Sequence, residues 1–111
     1  MTLPRLSHLQ FLAIAQLLKG PARGRELRDA LHKHAVRQSG PAFYQFMAGL
    51  EDAAYVEGWY EQQVVHGQII RERHYRLLAT GRKAWQSARH FYQAAFAAAP
   101  KGLARSGLIG A

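Results

Sequence analysis

Apolar residues recur along this chain first at helical spacing, then in alternation, then at helical spacing again. Leu9, Leu12, Ala13, Gln16 and Leu17 share one helical face, while Phe11, Ile14 and Leu18 fill another. The first helix is therefore apolar nearly all round and is expected deep in the domain. Ser7 and Gln10 have capping-box spacing and mark its start, and Gly20-Pro21 stops it. A second helix is expected over about residues 24–36, with Leu27, Ala30, Leu31 and His34 on one face and Arg25, Arg28, Asp29, His32 and Lys33 elsewhere. The stretch "RQSGP" breaks the pattern. A third helix follows over about residues 41–54, facing inward with Phe43, Phe46, Met47, Leu50 and Ala54. Ser39 or Gly40 is its expected N-cap, and Pro41 suits its first turn.

The period then changes. Val56, Trp59, Tyr60, Val64 and Val65 predict one strand, and Ile69, Ile70, Tyr75 and Leu77 a second. His66-Gly67-Gln68 supplies the turn between them, with glycine free to take positive φ. Ala79 or Thr80 leads into a last helix over about residues 81–98. Three helices, a hairpin and a further helix is the order of a winged helix-turn-helix domain, mainly α with a small β-hairpin. In that architecture the third helix enters the major groove of DNA, and the hairpin lies beside it along the backbone or minor groove. The expected organisation is a winged helix-turn-helix over residues 1–79, a C-terminal dimerisation helix over 80–99, and a disordered tail over 100–111.

Composition sharpens this picture. The chain of 111 residues suits one domain, and a domain this small often gains stability by oligomerising. Its net charge is +8, and its sequence pI is about 10.5. That balance favours an anionic partner, nucleic acid first and an acidic membrane surface second. Scattered surface charge on a basic protein is the plainer alternative. There is no cysteine, which excludes a disulfide framework and thiolate metal sites. The opening "MTLPRLSHLQFLAIAQLL" is broken by Gln16 and is not followed by a small-residue cleavage site, so it is read as helix and not as a leader. No apolar run reaches the roughly 18 residues of a membrane span. The expected location is cytoplasmic.

The charge is unevenly placed. Residues 1–40 hold seven Lys and Arg against two acids, residues 41–66 none against four, and residues 67–91 six against one. Arg23, Arg25, Arg28 and Arg37 surround the second helix and its exit, while Arg71 and Arg73 line the hairpin, joined by Arg76 further on. In contact with double-stranded DNA these would hold phosphates and position the domain. The third helix has no cation, so base reading there would fall to neutral groups. Gln45 is the first candidate, because a carboxamide pairs with both N6 and N7 of adenine. Ser39, Ala42 and Tyr44 are its neighbours; an ordinary solvated glutamine is the plain alternative.

Other chemistry finds little support. The six histidines are scattered, and His32 and His34 point in different directions on their helix. No nucleophile–base pattern, phosphate loop or paired carboxylate is evident, so neither an enzyme nor a cofactor or metal is expected. The last helix does carry a signal. Ala84, Trp85, Ala88, Phe91, Tyr92, Ala95, Phe96 and Ala99 recur at spacings of three and four. Packing back on the first helix is one outlet for this stripe; a symmetric homodimer is the expected one. Trp85, Phe91 and Tyr92 also offer walls for a flat aromatic ligand.

Three segments in order resemble the PadR-type transcriptional regulators. "LQFLAIAQLLKGPARGRELRDAL" is similar to that family's opening helix, Gly-Pro and "G-x-E-L" helix. "FYQFMAGLEDAAYVEGW" resembles its "LYPALRRLEEEGLVE" segment, and "RERHYRLLATGRKAW" resembles its wing strand and "YYRLTAAGR" ending. The resemblance spans about residues 6–90. It implies a dimeric DNA-binding regulator, usually a repressor on a palindromic operator, sometimes released by a small aromatic ligand. It also implies that Tyr44 packs at the core's edge with its hydroxyl reaching backbone or phosphate. Two positions depart from the family: Ala48 and Gly49 replace basic residues on the exposed side of the third helix, and Ala54 stands where glycine usually ends it. These departures keep open a second reading, a winged-helix protein-interaction module without sequence-specific DNA binding.

Overall fold

A computed structural model describes residues 4–34 and 37–97. The expected disordered tail and Ala99 lie outside them. Four helices and a small sheet follow in the order α1 (His8–Leu17), β1 (Ala22–Arg23), α2 (Gly24–His34), α3 (Gly40–Asp52), β2 (Val56–Val65), β3 (Gln68–Leu77) and α4 (Ala79–Ala97). The hairpin expected from sequence is the larger part of a three-stranded antiparallel sheet, ordered β1-β3-β2. The extra strand is Ala22–Arg23, which pairs with Tyr75 and His74 and ties the chain ahead of α2 to the wing.

Local chemistry explains where each helix starts and stops. Ser7 caps α1 in a full capping box: Gln10 N–H donates to Ser7 Oγ, and Ser7 N–H donates to Gln10 Oε1. Ser39 caps α3, its Oγ accepting from Ala42 N–H at 3.2 Å, with Pro41 in the first turn. The end of α3 is a Schellman motif, with Tyr55 N–H donating to Leu50 O and Ala54 N–H to Glu51 O. Ala54 therefore sits at φ 60°, on the left-handed side where a β-carbon is unwelcome. It faces solvent and is not the inward residue expected from its spacing. The wing turn is tighter than expected, with two residues, His66 and Gly67, at φ 51° and 76°. Both central residues at positive φ match the right-handed twist of the strands.

One core unites these elements. Ala13, Ile14 and Leu17 of α1 meet Leu27 and Leu31 of α2, Phe43, Met47 and Leu50 of α3, Val56 and Tyr75 of the sheet, and Ala88 of α4. The first helix is central, as its all-round apolar pattern requires; it packs on α2, α4 and β3. Close approach between α4 and the turn after α3 depends on Gly81, since a β-carbon there would collide with Tyr55 O.

The apolar stripe of α4 divides in two. Its first half lies on α1 of the same chain: Trp85 stacks on Phe11 at 5.2 Å, and Ala88 is 1% exposed. Trp85 and Ala88, expected in an interface or ligand wall, are thus covered by their own domain. The reason is Phe11, whose ring offers Trp85 a flat partner. Tyr92 is the transition, stacked on His8 and edge-on to Phe11 while 41% exposed. Phe91 is half-buried; Ala95 is exposed, and Phe96 is 67% exposed. Among the described residues no helix is long and apolar enough to cross a membrane.

Candidate nucleic-acid interface

The hairpin has two faces that differ in charge. On the outer face each acid meets a base. Glu57 accepts from Arg76 at 3.0 Å, Glu61 lies 3.3 Å from His74, and Glu72 lies 3.4 Å from Arg23. Trp59 stacks on His74 and donates its indole N–H to Glu61. The inner face carries Tyr75, Arg73, Arg71 and Ile69 on β3 opposite Gly58, Tyr60, Gln62 and Val64 on β2. This face continues the core at its base and turns cationic further out.

Between the inner face, β1 and the starts of α2 and α3 lies a cleft of about 240 Å³. It is lined by Arg23, Arg25, Tyr44, Tyr60, Arg71, Glu72 and Arg73. Five of these were expected as contacts from sequence, and the fold gathers them from four elements. Tyr44 leans over Gly24, whose β-carbon would meet its ring and hydroxyl at 3.1 Å. The tyrosine thus packs edge-on to Phe43 at the margin of the core, with its hydroxyl at the cleft. The N-terminus of α2 lies in the same wall, so the positive end of its dipole adds to the arginine field.

The arginines are not equivalent. Arg25 and Arg71 have no carboxylate partner among the described residues. Arg71 rests on the Tyr60 ring at 4.2 Å, which orients the guanidinium without neutralising it. Arg23 is shared between Glu26 at 3.6 Å and Glu72 at 3.4 Å, loose pairs that water screens. Arg73 is different: its Nη2 donates to Glu51 Oε1 at 2.6 Å, with both side chains about three-quarters buried. Burial opposes its charge, but the Tyr75 hydroxyl and the Glu51 carboxylate outweigh that and hold its pKa above the ordinary value. Burial in turn pushes the Tyr75 hydroxyl up to about 12, against the pull of Arg73.

Other expected contacts sit elsewhere. Arg28 is committed to structure, its Nε donating to Gln38 O at 3.1 Å and holding the turn into α3. Ser39 spends its hydroxyl on the α3 cap. Arg37 is exposed beyond α2, while Ala42 and Gln45 are exposed on the first two turns of α3. Tyr60 was missed as a site residue. Its signal was the strand register: it lies directly across from Arg73 and shelves both wing arginines. Glu72 was missed too, as the acid beside the cleft's rim. No group of three or more His, Cys, Asp or Glu is placed to hold a metal ion among the described residues.

No protein-family model and no curated protein matches the chain. Solved structures do. A PadR-family transcription regulator from Clostridium difficile superposes with a TM-score of 0.66 at 15% identity, covering 78% of this chain and 88% of that one. PadR from Bacillus subtilis, solved in complex with operator DNA, gives 0.58 at 14% identity over 73% of this chain and 47% of its own. Pex from Synechococcus gives 0.53 at 25% identity over 78% and 83%. The chain therefore has the winged-helix fold found in the PadR-family regulators.

Proposed function

We propose that this protein is a PadR-like, DNA-binding transcription regulator that holds the DNA backbone in its arginine cleft. The observation that carries the reading is the cleft itself. Arg25 and Arg71, uncommitted to any carboxylate among the described residues, converge beside the exposed N-terminal half of α3. A guanidinium fork suits phosphate oxygens, and tyrosine hydroxyls add neutral donors. The fold supports the same reading, since a PadR of like architecture has been solved on operator DNA. With the backbone seated in the cleft, α3 lies in the major groove and offers Gln45, Ala42 and Ala48 to base edges. Gln45 selects adenine, and the alanines suit thymine methyl groups.

The protein acts as a homodimer on a palindromic operator and represses by occupancy in the cytoplasm. The bare end of α4, with Phe96, Ala95 and part of Tyr92, supplies the dimer contact. A small aromatic ligand would bind against the same aromatic edge. Titration of the protein with its own promoter and with random DNA, at two salt concentrations, tests the reading. Binding to both at low salt and to the promoter alone at higher salt is expected. No binding to either would leave the interaction-module reading, which the cation-free face of α3 favours.

A further inference from the structure

The Glu51–Arg73 pair links two elements that share few other contacts. Glu51 belongs to the last turn of α3, and Arg73 lies midway along β3. Both side chains meet over Gly58 of β2. A β-carbon there would lie 2.5 Å from Glu51 Oε1 and 2.8 Å from Arg73 Nη2, so the missing side chain makes the room they use. The same guanidinium lies 4.6 Å from the Tyr60 ring centroid, and Tyr60 in turn carries Arg71. A chain of contacts thus runs from the end of α3 through Glu51, Arg73 and Tyr60 to Arg71 at the cleft.

We infer that Glu51 and Arg73 are positioning residues, a brace that fixes the wing against α3 so that Arg71 and the helix face meet one DNA backbone at once. This rests on the DNA-binding reading for its purpose, though not for its geometry. A brace explains why an acid is kept on the element nearest a polyanion. It also assigns Arg73 a role other than the phosphate contact expected of it. The Glu51 carboxylate holds its Nη2 at 2.6 Å from a partly buried position, which leaves only the rest of the guanidinium to face the cleft.

The sign of one substitution tests this. Glu51→Gln removes a negative charge near DNA, so long-range electrostatics alone predicts tighter binding. A brace predicts the opposite: affinity about tenfold weaker, with a salt slope about one unit shallower because Arg71 is no longer held at its phosphate. Arg73→Lys keeps the charge but loses the planar fork, and should fall between the two. Circular dichroism checks that each variant is folded at the assay temperature.

A second readout does not need DNA. The chain has no cysteine, so Gln63→Cys and Gln86→Cys can carry spin labels alone. Both positions are exposed and outside the cleft. With labelled chain diluted in unlabelled chain, the wing-to-α4 distance distribution should be narrow in the parent and broader in Glu51→Gln. Weaker binding together with a broader distribution supports the brace. Unchanged or tighter binding of folded Glu51→Gln overturns it, and so does an unchanged distance distribution. If the parent binds no DNA at all, the functional reading falls and the distance distribution alone decides whether the brace exists.

Discussion

Single residues here carry conformations that their side chains make expensive. Ala54 takes the left-handed position that closes the Schellman motif after α3, at φ 60°. Glycine would fit there without the clash of a β-carbon, at a smaller cost in unfolded-chain entropy. Ala54→Gly is expected to raise stability by about 0.5–1 kcal/mol, seen as a Tm a few degrees higher. A lower Tm would mean that the strain lies elsewhere. Tyr75 makes a second case, through titration. The residue is 1% exposed, and burial lifts its pKa from 10.0 to about 12 in the folded chain. A raised tyrosine pKa favours folding while the hydroxyl is neutral. Its contribution is complete below pH 10 and is lost as pH rises through about 12. Stability should therefore fall by up to about 3 kcal/mol across that window. Ultraviolet titration should show one of the five tyrosines ionising late, together with unfolding. A Tyr75 that ionises near pH 10 in a folded chain would contradict it.

At the level of elements, the cleft gives each arginine a separate expectation. Arg25→Ala and Arg71→Ala should each lower the salt slope of DNA binding by about one unit and weaken all sequences alike. Arg28→Ala should instead cost stability, because its guanidinium holds the Gln38 carbonyl at the turn into α3. Anisotropy titrations across a salt series, beside thermal melts, separate the two; unchanged slopes for Arg25 and Arg71 would take the cleft out of the interface. The helices and the hairpin were legible because their patterns run long enough to show a period. Capping at Ser7 and Ser39 was legible because it uses neighbours three residues apart. The strand Ala22–Arg23 was not, since two residues show no alternation. The sequence also showed that cations flank α3, but not how they are spent. Glu51 and Arg73 are 22 residues apart, and only the register of β3 against β2 brings Arg73 to Glu51 and Tyr60.

For the whole molecule, the divided stripe of α4 gives its two halves separate expectations. Ala88 lies in the chain's own core, so Ala88→Glu buries an unpaired charge and should destabilise the monomer itself by about 3 kcal/mol or more. Phe96 is 67% exposed, so Phe96→Glu should leave the Tm of a single domain nearly unchanged. It should nevertheless shift sedimentation from dimer to monomer and weaken operator binding by at least a hundredfold, as the tethered second half-site is lost. A Phe96→Glu protein that remains dimeric would place the contact on another surface. Sequence periodicity joined the two halves of this helix because Trp85 and Phe96 follow the same spacing. What divides them is the reach of α1, whose first turn ends the cover at Tyr92.

The wing has a further consequence, for the protein's behaviour in bulk. Strand β1 covers β3 only at Tyr75 and His74, so most of the outer rim of β3 has no strand beside it among the described residues, and neither has the outer rim of β2. Between Glu61 and Arg71 the only ionisable side chain is His66, and Val64 and Ile69 stand 74% and 71% exposed across from each other. Such rims are templates for strands from other molecules, and β-branched tips favour the match. The two flanking charges are gatekeepers set at the base of the exposed segment and not within it. Colloidal loss at high concentration would then begin at the hairpin tips of fully folded molecules. Improving the core would not slow it, whereas an anion or a nucleic acid duplex laid along the wing would keep those tips apart.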